Sequence, residues 1–456
     1  MTRRWPIVAS TAVLAAALGT GFVLRTHLAG NAASAQVASA RQLAAWEDNG
    51  VGTGKSASTD VLVQRYANAA RRSPDDPQAF AQLALAYMQK ERETTDVQYY
   101  SLTDKAALSA LQLDPSNVTA ISAEAWVAMG EHDFTRAAAI ASGVLLHDPS
   151  NPEMLGNLGD AEANLGNYPA MTAAYQKMVD AKPGLTSYNR AAYVRWLNGD
   201  LRGAVRYMLL AIRAGSTQPE NVAWCESELG DYLFGDGAIL PAAEEYRAAL
   251  KAFPHYARAL AGLASAQAAI GNTKTAEKLY RQAISIVPLP QYLTSLGDLQ
   301  VSLGDRAGAA RQYATIHLIE QLFAINHVRY GVEEAQFDTE HNQNLTTALK
   351  IAERETQTRH DYLAEDTLAW ALYKNGNYAE AWKAESSAMR LGTRLASLFF
   401  HAGMIQSKLG HLVEAQSFLH NTLMVNSHFN PLDAPVARAE LLHLNQMAAH
   451  GSNARP

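Results

Sequence analysis

Five prolines recur at a nearly constant interval along this chain, and that interval restricts the fold more than any other feature. The successive gaps are 34, 34, 71 and 34 residues, between Pro115, Pro149, Pro183, Pro254 and Pro288. The longest gap is close to two of the shorter ones. Because proline ends a helix, and apolar residues between the prolines recur at helical spacing, the pattern predicts a tandem array of short helices. Such an array folds as one elongated body rather than as several globular domains.

The units between the prolines share small and aromatic residues at fixed places. A typical unit has a Leu-Gly or Leu-Ala pair, a Gly-Asn or Gly-Asp turn, an alanine, a tyrosine and the final proline. The clearest units contain Leu158-Gly159, Leu229-Gly230, Leu263-Ala264, Leu296-Gly297, Leu368-Ala369 and Ala402-Gly403. This arrangement resembles the tetratricopeptide repeat (TPR), whose period is about 34 residues. The resemblance implies an all-α fold, in which tandem helix-turn-helix repeats form a right-handed superhelical solenoid with a concave groove.

The pattern divides the chain into five predicted segments. They are a signal-anchor or signal peptide (1–24), a flexible linker (25–59), a TPR-like array (60–313), a divergent repeat with a long helix (314–360), and C-terminal repeats with a capping helix (361–450). We expect one unbroken helix over residues 314–337, because apolar residues keep their helical spacing there. We also expect a loop over residues 90–101, inside the first unit.

The N-terminal segment leaves two cellular locations open. Arg3 and Arg4 precede an uncharged apolar stretch, residues 6–24, which is long enough to cross most of a hydrocarbon core of about 30 Å. Uncleaved, it would anchor the chain in the inner (cytoplasmic) membrane with the repeats outside the cytoplasm. Cleavage would instead release a secreted or periplasmic protein. The small-residue sites near Ala35 and Ala40 lie far from the apolar stretch, which favours the anchor.

Charge and motif content exclude several classes of function. The net charge is −6 and no dense run of Lys or Arg occurs, so we expect no nucleic-acid partner. The single cysteine, Cys225, cannot form an internal disulfide or a cysteine-based zinc site. Residues 50–56 resemble a phosphate-binding loop but are one residue too short. No catalytic motif is visible, and the 14 histidines are scattered. We therefore expect no enzyme, no metal and no small-molecule cofactor.

The resemblance also indicates where a partner would bind. In TPR proteins the first helix of each repeat lines the groove. Aligning the units gives these candidate groove residues: Asn157, Asp160, Asn189, Tyr193, Trp224, Glu228, Asp231, Asp298, Trp370 and Tyr373, with Trp196, Phe234 and Asp366 beside them. Aromatic faces and amides suit an extended peptide, although core packing is the alternative for each aromatic residue. A neutral to acidic groove favours other proteins or peptides that are cationic or neutral.

Two functions fit this sequence best. The first is a non-enzymatic protein–protein interaction scaffold of the bacterial cell envelope. The second is an exported chaperone or carrier for extended peptide segments. A third possibility, a hydrolase or transferase within residues 314–360, would require a polar pocket near His317, Glu333, His341 or His360.

Overall fold

The computed structural model describes residues 58–325 and 328–453, and these residues form 22 helices and no strand. The helices are α1 (Thr59–Arg72), α2 (Pro77–Thr94), α3 (Gln98–Leu113), α4 (Val118–Gly130), α5 (Phe134–Leu145), α6 (Pro152–Asn164), α7 (Tyr168–Ala181), α8 (Leu185–Leu197), α9 (Leu201–Ala214), α10 (Pro219–Gly235), α11 (Ile239–Ala252), α12 (Ala257–Ala269), α13 (Thr273–Ile286), α14 (Pro290–Ser302), α15 (Arg306–Ile325), α16 (Gly331–Glu340), α17 (Leu345–Glu355), α18 (Tyr362–Lys374), α19 (Tyr378–Ala388), α20 (Ala396–Leu409), α21 (Leu412–Val425) and α22 (Asp433–Asn453).

Consecutive helices pair into hairpins, and the hairpins stack in chain order. Hairpin 1 is α2–α3, and the numbering continues to hairpin 10, α20–α21. Helices α1 and α22 pack against the first and the last hairpin. The predicted all-α solenoid is thus confirmed. The predicted signal segment and nearly all of the predicted linker lie outside the described residues.

A glycine and a tyrosine hold together the two helices of hairpins 3, 5 and 7. A Cβ atom on the glycine would overlap the tyrosine ring of the second helix, so only glycine allows the helices to approach this closely. The tyrosine hydroxyl then donates to the aspartate that follows the glycine. These bonds join Tyr175 to Asp160 at 2.8 Å, Tyr246 to Asp231 at 2.6 Å, and Tyr313 to Asp298 at 2.7 Å.

Two local expectations are wrong. Instead of a loop over residues 90–101, α2 continues to Thr94 and α3 begins at Gln98. The end of α2 is stabilised by tertiary contacts, because Gln89 and Glu91 are buried. Instead of one helix over residues 314–337, α15 ends at Ile325 and α16 begins at Gly331. Between them the amide of Arg329 donates to the carbonyl of Glu131 at 3.2 Å, which draws the backbone away from a helical path.

Hairpin 8 (α16–α17) nevertheless continues the stack. Leu293, Ile316 and Phe337 share one buried cluster that joins α14, α15 and α16. His341, at the end of α16, makes a 2.8 Å hydrogen bond through Nε2 with Asp298 of α14. Helix α15 has 20 residues, against 14 for the second helices of hairpins 3 to 6. The domain limits proposed from the sequence remain predictions.

The solenoid closes on itself along a line of contacts that we call the seam. The turns inside hairpins 2 to 5 touch the connections that precede hairpins 8, 9 and 10 and helix α22, six hairpins further along the chain. Four hydrogen bonds mark it and join residues 192 to 196 positions apart: Asp133 with Arg329 at 3.1 Å, Tyr168 with Tyr362 at 2.8 Å, Leu197 with Thr393 at 2.6 Å, and Phe234 with Asn426 at 2.7 Å.

The turns inside hairpins 3, 4 and 5 each contain a glycine with a positive φ, and all three glycines abut the seam. A Cβ on Gly199 would lie 2.6 Å from the carbonyl oxygen of Gly392, and one on Gly237 would lie 2.5 Å from that of Val425. A Cβ on Gly166 would overlap the carbonyl group of His360. The matching turn glycine of hairpin 6, Gly271, also has a positive φ but meets nothing within 4 Å. The seam therefore requires glycine for close approach as well as for conformation.

Within the described part of the chain, no helix has the length and apolar character needed to cross a membrane.

We expect Gly166→Ala to destabilise the fold more than Gly271→Ala. Both variants place alanine at a positive φ, which costs about 1–2 kcal/mol. Only Gly166→Ala also pushes a methyl group into the seam, which adds roughly 1–3 kcal/mol. Thermal unfolding followed by circular dichroism compares the two. Equal drops in melting temperature would show that the seam contributes nothing to stability.

Candidate partner-binding cavity

A cavity of about 600 Å³ lies between the first helices of hairpins 5, 6 and 7 and the end of α2. Helices α10, α12 and α14 form its wall, and residues 91–95 of α2 and its C-cap line it as well. The cavity thus combines three consecutive repeats with a segment from the start of the stack. It is large enough for a few side chains of a bound peptide.

Aromatic side chains supply much of the cavity surface. Trp224 and Phe234 come from α10, Tyr292 comes from α14, and Tyr256 precedes α12. The two tyrosines are almost fully buried, whereas Trp224 and Phe234 are only half-buried. Partly exposed aromatic rings in a concave site are typical anchors for the side chains of a protein partner.

Arg258 fixes the polar groups at the centre of the cavity. Its guanidinium donates to Asp231 at 2.6 Å and to Glu228, and lies 5.2 Å from the centroid of the Trp224 ring. Tyr246 donates to the other oxygen of Asp231. Arg258 of α12 therefore ties its hairpin to α10 and holds Trp224 in place. Because Arg258 pairs with both carboxylates, this part of the cavity is rigid.

A second part of the cavity wall, formed by the end of α2 and the start of α10, carries a surplus of carboxylates. Glu220 is buried and accepts from the Tyr256 hydroxyl at 3.1 Å, and Arg92 lies 3.8 Å away. Glu91 and Glu93 of α2 line the same cavity. Three carboxylates therefore surround one arginine. A cationic group entering the cavity would be attracted to this side.

Burial changes the ionisation of this wall. It raises the pKa of Glu91 to about 7, although a hydrogen bond from Tyr100 and the charge of Arg92 act in the opposite direction. Burial also raises the pKa of Glu220, again opposed by Arg92. The wall therefore gains negative charge as the pH rises through neutrality.

The structure brings only part of the predicted groove together at this cavity. Trp224, Asp231 and Phe234 line it, and Glu228 adjoins it through Arg258. The candidates on hairpins 3 and 4 lie elsewhere and make contacts within the stack. Asp160 pairs with Arg190 and Tyr175, Asn157 contacts Ser122 at 3.5 Å, and Asn189 contacts Cys225 at 4.0 Å.

The remaining candidates take part in packing or in the seam. Tyr193 lines a second cavity of about 310 Å³ at the seam, together with Arg359 and Tyr362. Trp196 stacks on Tyr193 at 5.9 Å. Asp298, Asp366 and Trp370 are buried, at 5%, 6% and 5% exposure. Tyr373 is half-buried and stacks on Trp370 at 4.5 Å.

Several cavity residues were not predicted from the sequence. Glu91 and Arg92 were missed because residues 90–101 were expected to form a loop. The sequence did offer a signal for a longer helix, because Gln89 and Glu93 are four residues apart and can pair on one helix face. In the structure Gln89 donates to Glu93 at 3.4 Å. Glu220, Tyr256 and Tyr292 lie at or near helix starts, which the repeat pattern does not place in the groove.

The family assignment rests on the repeats themselves. The tetratricopeptide-repeat family model matches residues 122–186 and 228–289, which lie in hairpins 2 to 3 and 5 to 6. The chain is a tetratricopeptide repeat protein. Proteins of this family are generally non-enzymatic scaffolds that bind other proteins. No curated protein matches this TPR chain.

Solved TPR structures resemble it only in part. The human IFIT1 dimer with m7Gppp-AAAA is 14% identical, covers 72% of this chain and 77% of its own, and has a TM-score of 0.46. A tetratricopeptide repeat protein from Parabacteroides merdae is 17% identical, with coverages of 57% and 98% and a TM-score of 0.33. MamA is 22% identical, with coverages of 35% and 91% and a TM-score of 0.29. At these scores, none bears on what this TPR protein binds.

We expect Glu91→Gln to stabilise the protein at pH 8 but not at pH 4. The folded-state pKa of Glu91 is about 7, above the ordinary value, so its carboxyl destabilises the fold increasingly between about pH 4.5 and 7. Above that window the full penalty, on the order of 3 kcal/mol, is present, and glutamine removes it while still accepting from Tyr100. Melting temperature against pH measures this. The exposed Glu414→Gln is the control, and a gain that is equal at both pH values would contradict the prediction.

Proposed function

We propose that this protein is a non-enzymatic scaffold of the bacterial cell envelope that holds an extended, cationic segment of a partner protein in the cavity between α2, α10, α12 and α14. The observation that carries the proposal is the cavity itself, which half-buried Trp224 and Phe234 line together with a surplus of carboxylates. The cavity along α13 has no aromatic lining, and the seam cavity has only two carboxylates, Glu333 and Asp361, beside Arg359.

The aromatic and acidic walls would recognise different parts of one segment. An apolar side chain would pack against Trp224 and Phe234 and remove their exposed surface from water. A lysine or arginine on the same segment would reach Glu220, Glu91 and Glu93, where a single arginine leaves negative charge uncompensated. Arg258 would not compete, since it already pairs with Glu228 and Asp231.

Rigidity favours stable holding over adaptable capture. The seam locks the turn that follows α10 through the bond from Asn426 to the Phe234 carbonyl. Arg258 joins α10 to α12. A preorganised wall lowers the entropy lost on binding, so a selective partner is expected. This supports the scaffold over a chaperone that accepts many segments.

The proposed location depends on the N-terminal segment. Retained, residues 6–24 would hold the repeats on the outer side of the inner membrane, where they gather partners. Removed, the same repeats would act as an exported chaperone or carrier for extended peptides, which is the second candidate function.

We expect a lysine-bearing peptide to bind better than its acidic counterpart. The probes are fluorescein-labelled nine-residue peptides with the same leucine and phenylalanine framework and with three lysines, three glutamines or three glutamates. Anisotropy titration should rank them lysine, glutamine, glutamate, because the carboxylate wall attracts cations. The preference for lysine should grow from pH 6 to pH 8, because Glu91, whose pKa is about 7, loses its proton in that interval.

Variants test whether this binding uses the cavity. Trp224→Ala should weaken binding of the lysine peptide about tenfold, because it removes an aromatic anchor. Trp382→Ala is the matched control, because Trp382 is also half-buried but packs on Phe418 of the C-terminal hairpins. Equal affinity for both variants, or a preference for the glutamate peptide, would contradict the proposed site.

Fractionation of the native protein tests the location. The scaffold is expected to remain in membranes after high-salt and carbonate washing, with its N-terminus intact, because residues 6–24 would span the bilayer. N-terminal sequencing completes the measurement. A soluble protein that begins near Gln36 would eliminate the anchored scaffold in favour of the exported carrier.

A further inference from the structure

Hairpin 9 (α18–α19) departs from the repeat pattern at one buried position. In hairpins 3, 5 and 7, a tyrosine lies 16 residues after the glycine of the first helix, as in Gly159 and Tyr175. Hairpin 9 has Ala369 in place of the glycine, and 16 residues later it has Glu385. A carboxylate thus occupies the place of a phenol in the middle of a helical stack.

Glu385 is part of a buried cluster from three consecutive helices. Asp366 belongs to α18, Glu385 to α19 and His401 to α20. Their exposures are 6%, 0% and 4%. His401 Nδ1 lies 2.7 Å from Asp366 Oδ1. One nitrogen or oxygen from each residue lies within 4.8 Å of those of the other two.

The carboxylate of Glu385 lacks compensation in this cluster. Neither of its oxygens has a hydrogen-bond partner among the described residues. An ionised carboxylate buried without a partner is strongly unfavourable. Its neighbours in the cluster are another carboxylate and a histidine. Asp433 and Glu340 add negative charge around His401, and Lys374 lies near both of these carboxylates. An ionised Glu385 therefore has no hydrogen-bonded cation of its own, and the cluster can accept a positive charge.

We propose that Asp366, Glu385 and His401 form a site for one divalent transition-metal ion, with Zn²⁺ the best match. One imidazole nitrogen and two carboxylate oxygens are a donor set that zinc accepts in proteins. Calcium and magnesium prefer oxygen ligands alone, so the histidine disfavours them. The ion would join three helices of hairpins 9 and 10 and have a structural role, apart from the partner-binding cavity.

The geometry suits such an ion. Zinc–ligand distances of about 2.0–2.2 Å place the donor atoms of a tetrahedral site roughly 3.4 Å apart. The three donors already lie within 4.8 Å of one another, so small side-chain shifts are enough, including a separation of the His401 Nδ1–Asp366 Oδ1 pair from its present 2.7 Å. Trp370 stacks on the His401 ring at 4.1 Å, which holds the imidazole in place. Because the site is buried, the ion would enter as the hairpins assemble.

A shared proton is the competing explanation. Burial and the neighbouring Asp366 raise the pKa of Glu385 well above its ordinary value, so Glu385 would then be neutral and donate to Asp366. The two explanations differ in a measurable way. A metal site binds zinc in a fixed ratio and is stabilised by it, whereas a protonated carboxyl is indifferent to zinc and to chelators.

Metal content and thermal unfolding of the untagged full-length protein test the proposal. After expression with added zinc chloride and extensive desalting, inductively coupled plasma mass spectrometry should find about one zinc ion per chain. Treatment with a chelator should lower the melting temperature by several degrees, and zinc chloride should restore it. Stoichiometric manganese or iron instead of zinc would support the same site with a different ion.

Substitutions that remove one ligand each show whether the metal lies in this cluster. Glu385→Gln and His401→Gln should each weaken zinc binding about tenfold or more. Glu245→Gln is the matched control, since Glu245 is equally buried in α11 and lies outside the cluster. The proposal would be overturned if the unmodified protein contained no metal and its melting temperature changed with neither zinc nor chelator. That outcome does not depend on whether a variant folds. Undiminished zinc in a folded Glu385→Gln protein would also overturn it.

Discussion

Contact between distant turns of the solenoid sets the shape of this protein. An open stack of hairpins would leave the backbone carbonyls of each turn exposed to water. Here the carbonyls of Leu197 and Phe234 accept hydrogen bonds from side chains six hairpins further along. Because such contacts recur at four successive turns, the winding of the whole array is fixed. The stability of a repeat array usually comes from contacts between adjacent units alone. The seam adds stabilising contacts between units that are far apart in the chain.

The seam and the glycine–tyrosine pairs act at different levels. Within a hairpin, a glycine admits the tyrosine ring, and the tyrosine hydroxyl fixes an aspartate on the inner face. Between hairpins, cations such as Arg190 and Arg258 join that aspartate to the next unit. The same local arrangement therefore produces both packing and a line of oriented carboxylates.

Both proposed sites involve interruptions of this regular arrangement. At the cavity, α2 extends beyond its expected end and brings Glu91 and Arg92 against Glu220 of hairpin 5. In hairpin 9, Glu385 replaces the tyrosine and meets Asp366 and His401. The proposed partner site and the proposed metal site thus each include a departure from the repeat. A regular repeat specifies packing, and a departure from it frees side chains for another role.

The sequence by itself determined the helical repeat, because proline, glycine and apolar spacing act within each unit. It also placed Trp224, Phe234 and Asp231, which line the cavity, on one face of the first helix of their repeat. Tertiary structure alone decided that Trp370 and Asp298 are buried. It alone brought Asp366, Glu385 and His401 together, since these residues lie on three helices. Contacts across such distances depend on the winding of the superhelix, which arises from small rotations summed over many units and has no local signal in the sequence.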